Sequence, residues 1–172
     1  MSVFKPNSEL SQERLKEILA YNPETGLFHW KVARGRIYVG MQAGSLTPEG
    51  YVRITIDRHR FMAHTLAWLD MTGEYISRGI DHRDTLRSNN KWTNLRRATQ
   101  SQNNMNMKVR SDNALGVKCV QKKKGAISQP YFATIKVNGK QRQLGYCSTI
   151  EEAAESYRAA ALKYFGEFAR AI

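Results

Sequence analysis

Apolar residues recur along the chain in two periods, and the places where the period changes divide it into elements. Leu15, Ile18 and Leu19 fall at helical spacing between Ser11, a natural N-cap, and the stop at Asn22 and Pro23, which predicts a short amphipathic helix over Ser11 to Tyr21. Alternation then takes over. Phe28 and Trp30 follow the Thr25–Gly26 turn, and Tyr51 to Ile56 follows Pro48, Glu49 and Gly50, so each stretch reads as a strand. Phe61 to Thr72, with Ala63, Leu66, Ala67 and Met71, predicts a buried helix closed by Gly73. Beyond it lie a strand end at Ile80, Asp81 and His82, a polar loop from Arg83 to Thr93, and a helix from about Gln100 that Thr99 and Gln102 cap.

The apolar period lapses between Asn103 and Asn113 and a second pattern begins. Leu115 to Gln121 is strand-like. Tyr131 to Val137 and Lys140 to Tyr146 predict two strands joined by Asn138–Gly139, a pair that tolerates the positive φ of a tight hairpin. A two-residue loop fixes the register, with Ala133 opposite Leu144 and Thr134 opposite Gln143. Ser148 to Glu151 reads as a capping box, and a helix runs from it to Phe165, ended by Gly166. Its inward stripe of Ile150, Ala153, Ala154, Tyr157, Ala160, Ala161 and Tyr164 covers the Ala133 and Leu144 side of the sheet. Lys118, Thr134, Lys136, Gln141 and Gln143 are left on the uncovered side. The fold class is therefore α+β, with a domain over 1–107, a linker over 108–113 and a smaller domain over 114–172, a three-stranded antiparallel sheet packed on one helix.

Composition adds the partner class. The 172 residues suffice for one or two small cores, and 41% hydrophobic with 24% charged residues is globular usage. No apolar run reaches the roughly 20 residues of a membrane span, and Met1 to Leu10 has no signal-peptide core, so a soluble, cytoplasmic protein with no membrane partner is expected. Cys119 and Cys147 provide no disulfide framework, and the His and Cys residues show no zinc spacing, so no structural zinc is expected. The net charge is +12, of which +5 lies before residue 107 and +7 in the shorter remainder. Such an excess points to a polyanion, and an exposed face of lysines and amides suits the phosphates and base edges of double-stranded DNA.

Two resemblances sharpen this. Over about sixty residues, through Gly116-Val117-Lys118, Tyr131 to Lys136, Leu144-Gly145-Tyr146, Glu151 to Tyr157, Ala160-Ala161 and Gly166, the C-terminal region resembles the Apetala/ethylene-response-factor DNA-binding domain. That family lays its sheet in the major groove, which implies DNA contacts from Lys118, Thr134, Lys136, Gln141 and Gln143. Gln141, Gln143 and Val120 depart from the plant pattern, so its target sequence is not carried over.

His64-Thr65-Leu66-Ala67-Trp68, Ile80-Asp81-His82, Asn94-Leu95-Arg96 and Thr99 to Asn103 are similar to the HNH endonucleases of the phage and intron-encoded branch. The resemblance implies a ββα-metal nuclease domain in which Asp81 and Asn103 are metal ligands, His82 the general base and Asn94 a loop residue that positions the hairpin or the base. Asn104 and Asn106 compete with Asn103 for the ligand role, and His64 is either a core histidine or a supporting residue of the site. Arg83, Arg96 and Arg97 flank the site as candidate holders of the DNA backbone, as do Arg87 and Lys91. A carboxylate and an amide carbonyl make an oxygen-only donor set, which suits Mg²⁺ or Mn²⁺.

The expected function is a site-specific DNA endonuclease of the homing type, nicking as a monomer or cutting both strands as a homodimer, and acting in the host cytoplasm or nucleoid if phage-encoded. The alternative is a non-catalytic DNA-binding regulator that uses only the C-terminal sheet. An RNA binder is disfavoured, because Tyr131, Phe132 and Tyr146 read as apolar or strand-end positions rather than as a stacking platform.

Overall fold

The computed structural model describes residues 10–106, 109, 113–126, 128–137 and 139–169. The chain folds as two compact units, Met1–Thr99 and Gln100–Ile172. Most of the expected linker, and Asn138 of the expected hairpin turn, lie outside the described residues.

In the first unit, helix α1 (Gln12–Ile18) is capped by Ser11, whose hydroxyl accepts from the Arg14 N–H at 3.1 Å. The helix is shorter than its apolar spacing predicts. Leu19 turns extended and pairs with Trp30, so strand β1 (Leu19–Asn22) joins β2 (Leu27–Trp30) in a hairpin, and β3 (Gln42–Ala43) adds to the β2 edge. A second sheet holds β4 (Ser45–Leu46), β5 (Val52–Ile56) and β6 (His59–Met62). Its β5–β6 turn puts both Asp57 and Arg58 at positive φ, as a two-residue hairpin requires. Phe61 therefore belongs to a strand, and helix α2 (Ala63–Thr72) begins two residues later than expected, ending at Gly73 with φ 75°. Leu15, Ile18, Phe28, Ile54, Ile56 and Leu66 are sealed into one core that Ile80 and Leu95 extend. Those last two belong to the two-stranded ribbon β7 (Ile80–His82) and β8 (Leu95–Arg97), which the core thereby anchors.

The second unit opens with helix α3 (Gln100–Asn106), which packs with the turn Gly166–Phe168 near its C-terminal end. The pattern along the sequence groups this helix with residues 1–107, and by contacts it clusters with the second unit. A sheet in the order β11 (Lys140–Cys147), β10 (Tyr131–Val137), β9 (Val120–Lys122) follows, backed by helix α4 (Ile150–Phe165). Thr134 pairs with Gln143 as the hairpin arithmetic requires, but the register shifts between Phe132 and Thr134, so Phe132 pairs with Tyr146. The expected strand over Leu115 to Gln121 shrinks to β9 because Cys119 adopts φ 61°. The capping box is one residue later than read. Thr149 accepts from the Glu152 N–H at 3.1 Å, and Glu152 accepts from the Ser148 N–H at 2.9 Å. Ala153, Ala154, Tyr157 and Ala161 face the core with Ala133, Ile135 and Val120, whereas Tyr164, expected inside, is exposed. Phe168 closes that end instead, because the chain turns back after Gly166 and brings it inward.

Candidate active site

Asp81 and Arg96 face each other across the β7–β8 ribbon, and antiparallel partners put their side chains on one face. Both are buried, at 4% and 6% exposure, and Nε and Nη2 of Arg96 each lie 2.8 Å from Asp81 Oδ2. Arg96 is thus no exposed holder of DNA, as its sequence position suggested. It compensates a buried carboxylate and fixes its orientation, which an unpaired charge at that depth would not tolerate.

His82, the next residue, finds different partners. Its Nε2 is 3.2 Å from Asn90 Oδ1. Asn90 is 2% exposed, and its amide donates to the Ser88 carbonyl at 3.1 Å, so Oδ1 is the atom turned toward the imidazole. An acceptor opposite Nε2 selects the Nε2–H tautomer and puts the basic lone pair on Nδ1. Burial pushes the His82 pKa below its ordinary value; Arg87 adds to this, while Asn90, Asp84 and Asp81 pull the other way. The ring is therefore held neutral, the form a general base needs.

Two further rings surround it. His64, in the first turn of α2, meets His82 edge-on with centroids 5.2 Å apart, and Tyr51 lies 5.4 Å from His64 and 6.2 Å from His82. Burial, with the neighbouring His82, holds the His64 pKa down to about 3, and its Nδ1 is buried without a hydrogen-bond partner. The Arg87 guanidinium sits 4.9 Å over the Tyr51 ring and donates to the Glu49 carbonyl at 3.0 Å.

Asn94 organises the loop rather than the base. Its Oδ1 accepts from the Asp84 N–H at 3.0 Å, and its Nδ2 donates to Asp84 Oδ1 at 2.9 Å and to the Asn89 carbonyl at 2.8 Å. Burial raises the Asp84 pKa, but hydrogen bonds from Asn89, the Leu86 N–H and Asn94, together with His82, outweigh it and leave the carboxylate below its usual range. The β1–β2 turn braces this loop from outside. Tyr21 donates to the Asn90 carbonyl at 2.6 Å, Trp92 N–H donates to the Pro23 carbonyl at 2.9 Å, and a Cβ on Gly26 would lie 2.4 Å from the Lys91 nitrogen. Sequence reasoning missed Asn90, Asp84 and Tyr51, although the Asn89–Asn90 doublet inside a polar loop was a signal for a structured turn.

The other expected residues are spread more widely. Arg83 and Arg97 are exposed, Arg97 within 3.3 Å of Glu74. Asn103 lies half-buried on α3 in the second unit, beside an exposed Asn104 and a buried Asn106. Thr134 and Lys136 pair with Gln143 and Gln141, and the two glutamines and Lys136 are exposed. Lys118 precedes the kink at Cys119, and its ammonium reaches the Met105 carbonyl of α3. Phe132 and Tyr146, expected away from a platform, are register partners with rings 5.7 Å apart, and Lys123 lies 5.1 Å over Tyr146.

Residues 61–105 match the family model described as HNH endonuclease, a stretch that begins on β6 and runs through the ribbon into α3. That stretch is similar to HNH endonucleases. The chain is also similar to an uncharacterized HNH endonuclease of Acanthamoeba polyphaga mimivirus, 37% identical over 90 residues. That alignment covers 52% of this chain and 44% of the relative, so the chain spans less than half of the relative's length. No solved structure matches. Among the described residues no helix is long and apolar enough to cross a membrane, and no three His, Cys, Asp or Glu side chains form a group that could hold a metal by themselves.

HNH nucleases generally depend on a divalent metal, and the donor chemistry of the ribbon fits one. Asp81 is a buried carboxylate oriented by Arg96 through Oδ2. With so few acidic donors, the shell must be completed by amide, phosphate and water oxygens, which again favours a hard cation.

Proposed function

We propose that the chain is a site-specific DNA endonuclease of the homing type that hydrolyses phosphodiester bonds in duplex DNA. The observation that carries this reading is that the HNH match over 61–105 falls on a ribbon in which Asn90 fixes the neutral His82 with its lone pair on Nδ1. In this reading Nδ1 takes the proton of a water whose oxygen attacks phosphorus, while the bond to the leaving sugar oxygen breaks. Asp81 would be a ligand of Mg²⁺ or Mn²⁺, which when bound would neutralise charge on the phosphate and the leaving oxygen, and Asn103 is the second ligand that the motif assigns. Asn94 keeps the loop closed so that the base stays in place. Residues 114–172 act as an Apetala/ethylene-response-factor-like module whose Lys136, Gln141, Gln143 and Thr134 face duplex DNA, with Lys118 bracing the unit. Arg83 and Arg97 hold the backbone, and the protein works as a nicking monomer or a double-strand-cutting dimer in the cytoplasm or nucleoid of its host.

The test is conversion of supercoiled plasmid carrying candidate target DNA to open-circle or linear form with Mg²⁺ or Mn²⁺. Wild-type protein cuts and His82→Ala does not; equal activity in the two removes the catalytic assignment. One observation favours the rival, a non-catalytic DNA-binding regulator: the Asp81 carboxylate is already neutralised by Arg96. A protein that binds duplex DNA yet leaves it intact under every divalent metal would establish that rival.

A further inference from the structure

We propose that Arg87 is a phosphate-binding residue of the active site, held toward the scissile phosphodiester by Tyr51 and the Glu49 carbonyl. The proposal rests on the nuclease reading above and narrows Arg87 from one of several candidate holders of the DNA backbone to the scissile phosphate itself.

Three features of the site lead to it. Arg87 is exposed and lies in the same loop as Asn90, five residues after His82, near enough for its charge to act on the imidazole. Its head is nonetheless held, by the Tyr51 ring at 4.9 Å on one side and the Glu49 carbonyl at 3.0 Å on the other. An exposed arginine without a task gains little from such immobilisation, since ordering its long side chain costs rotamer entropy. A guanidinium uses one N–H on the carbonyl and keeps four others, enough for bidentate contact with two phosphate oxygens. The ring that holds it is the one packed against both histidines, 6.2 Å from His82. A phosphate bound by Arg87 therefore lies on the side of the site where His82 acts. Tyr51 is a positioning residue here, acting only through the arginine it stacks.

The deciding experiment is single-turnover cleavage of duplex target by full-length wild-type, Arg87→Ala, Arg87→Lys and Tyr51→Leu proteins, on normal DNA and on DNA with a neutral methylphosphonate at the scissile position. On normal DNA Arg87→Ala loses about 10² to 10³ in rate, the usual cost of one donor to a developing oxyanion. Arg87→Lys keeps the charge but not the fork and falls in between, and Tyr51→Leu reproduces part of the loss with unchanged melting of the first unit. On the methylphosphonate the penalty of Arg87→Ala shrinks to about twofold or less, because no anionic oxygen remains for it to hold. A merely structural arginine would carry the same penalty on both substrates, and that result overturns the proposal. So does an Arg87→Ala protein that cuts normal DNA within about twofold of wild type. If wild type itself fails to cut, or cuts no better than His82→Ala, the nuclease reading fails and takes this proposal with it. Retained cutting with His82 essential and Arg87 dispensable sinks this proposal alone.

Discussion

The tautomer of His82 depends on one amide. Asn90 offers an oxygen to Nε2 because its nitrogen is spent on the Ser88 carbonyl, and replacing it removes the acceptor without touching the metal-ligand candidates. Asn90→Leu should lower single-turnover cleavage by about 10² or more while DNA binding in EDTA stays near wild type, the pattern expected when a base loses its orienting partner. Equal cleavage by the two proteins would show that the ring is held in place by packing alone. His64 makes a prediction about stability. Its folded pKa of about 3 lies below the ordinary 6.5, so the unfolded chain binds the proton more readily. The stabilisation is full above pH 6.5 and is lost as pH falls from there toward 3, at up to about 1.4 kcal/mol per pH unit. Denaturant melts at pH 7, 6 and 5 should therefore converge for wild type and His64→Gln as the solution is acidified, with wild type falling faster. Parallel curves would show that His64 is not sealed as described.

At the level of elements, the β1–β2 turn is a prop for the loop between β7 and β8. Gly26→Ala forces a Cβ to 2.4 Å from the Lys91 nitrogen and 2.5 Å from the Asn90 carbonyl carbon, both backbone atoms, at φ 75°. Gly40→Ala has a similar φ of 85° but open space around it. The first substitution should cost about 2 kcal/mol or more and reduce cleavage, while the second should cost about 1 kcal/mol and leave cleavage intact. Thermal melts paired with cleavage rates distinguish them, and equal effects would mean the turn does not press on the loop. Elements of this kind were unevenly legible in the sequence. Helices α2 and α4 and the Thr134–Gln143 register follow from local periods and a two-residue turn. The Asp81–Arg96 pair did not, because it depends on a cross-strand register set by a polar loop. Arg96 looked like an exposed cation for the same reason. The contact of Gly26 with Asn90 joins residues more than sixty positions apart, and no local pattern encodes that.

Over the whole molecule, the +12 charge is divided between a unit with an HNH-like region and a unit with an exposed sheet face of Lys136, Gln141 and Gln143. If that face grips duplex DNA, Lys136→Ala should weaken binding and lower the slope of log affinity against log salt by about one, with cleavage at saturating protein unchanged. Gln143→Ala should instead alter preference among sequences with the salt slope kept, since an amide reads bases rather than phosphates. Filter binding across a salt series checks both, and a wild-type slope in Lys136→Ala would remove that lysine from the DNA-facing set.

The Gly26 contact also bears on engineering. A designer who wished to graft the HNH-like region onto another protein would naturally excise the matched stretch, residues 61–105. That fragment leaves behind Tyr21, Gly26 and Tyr51, which buttress the loop and shelve the arginine beside the base. The transplantable cassette therefore starts near Ser11, and a fusion cut at the motif's own edge would carry the signature residues without the scaffold that sets their geometry.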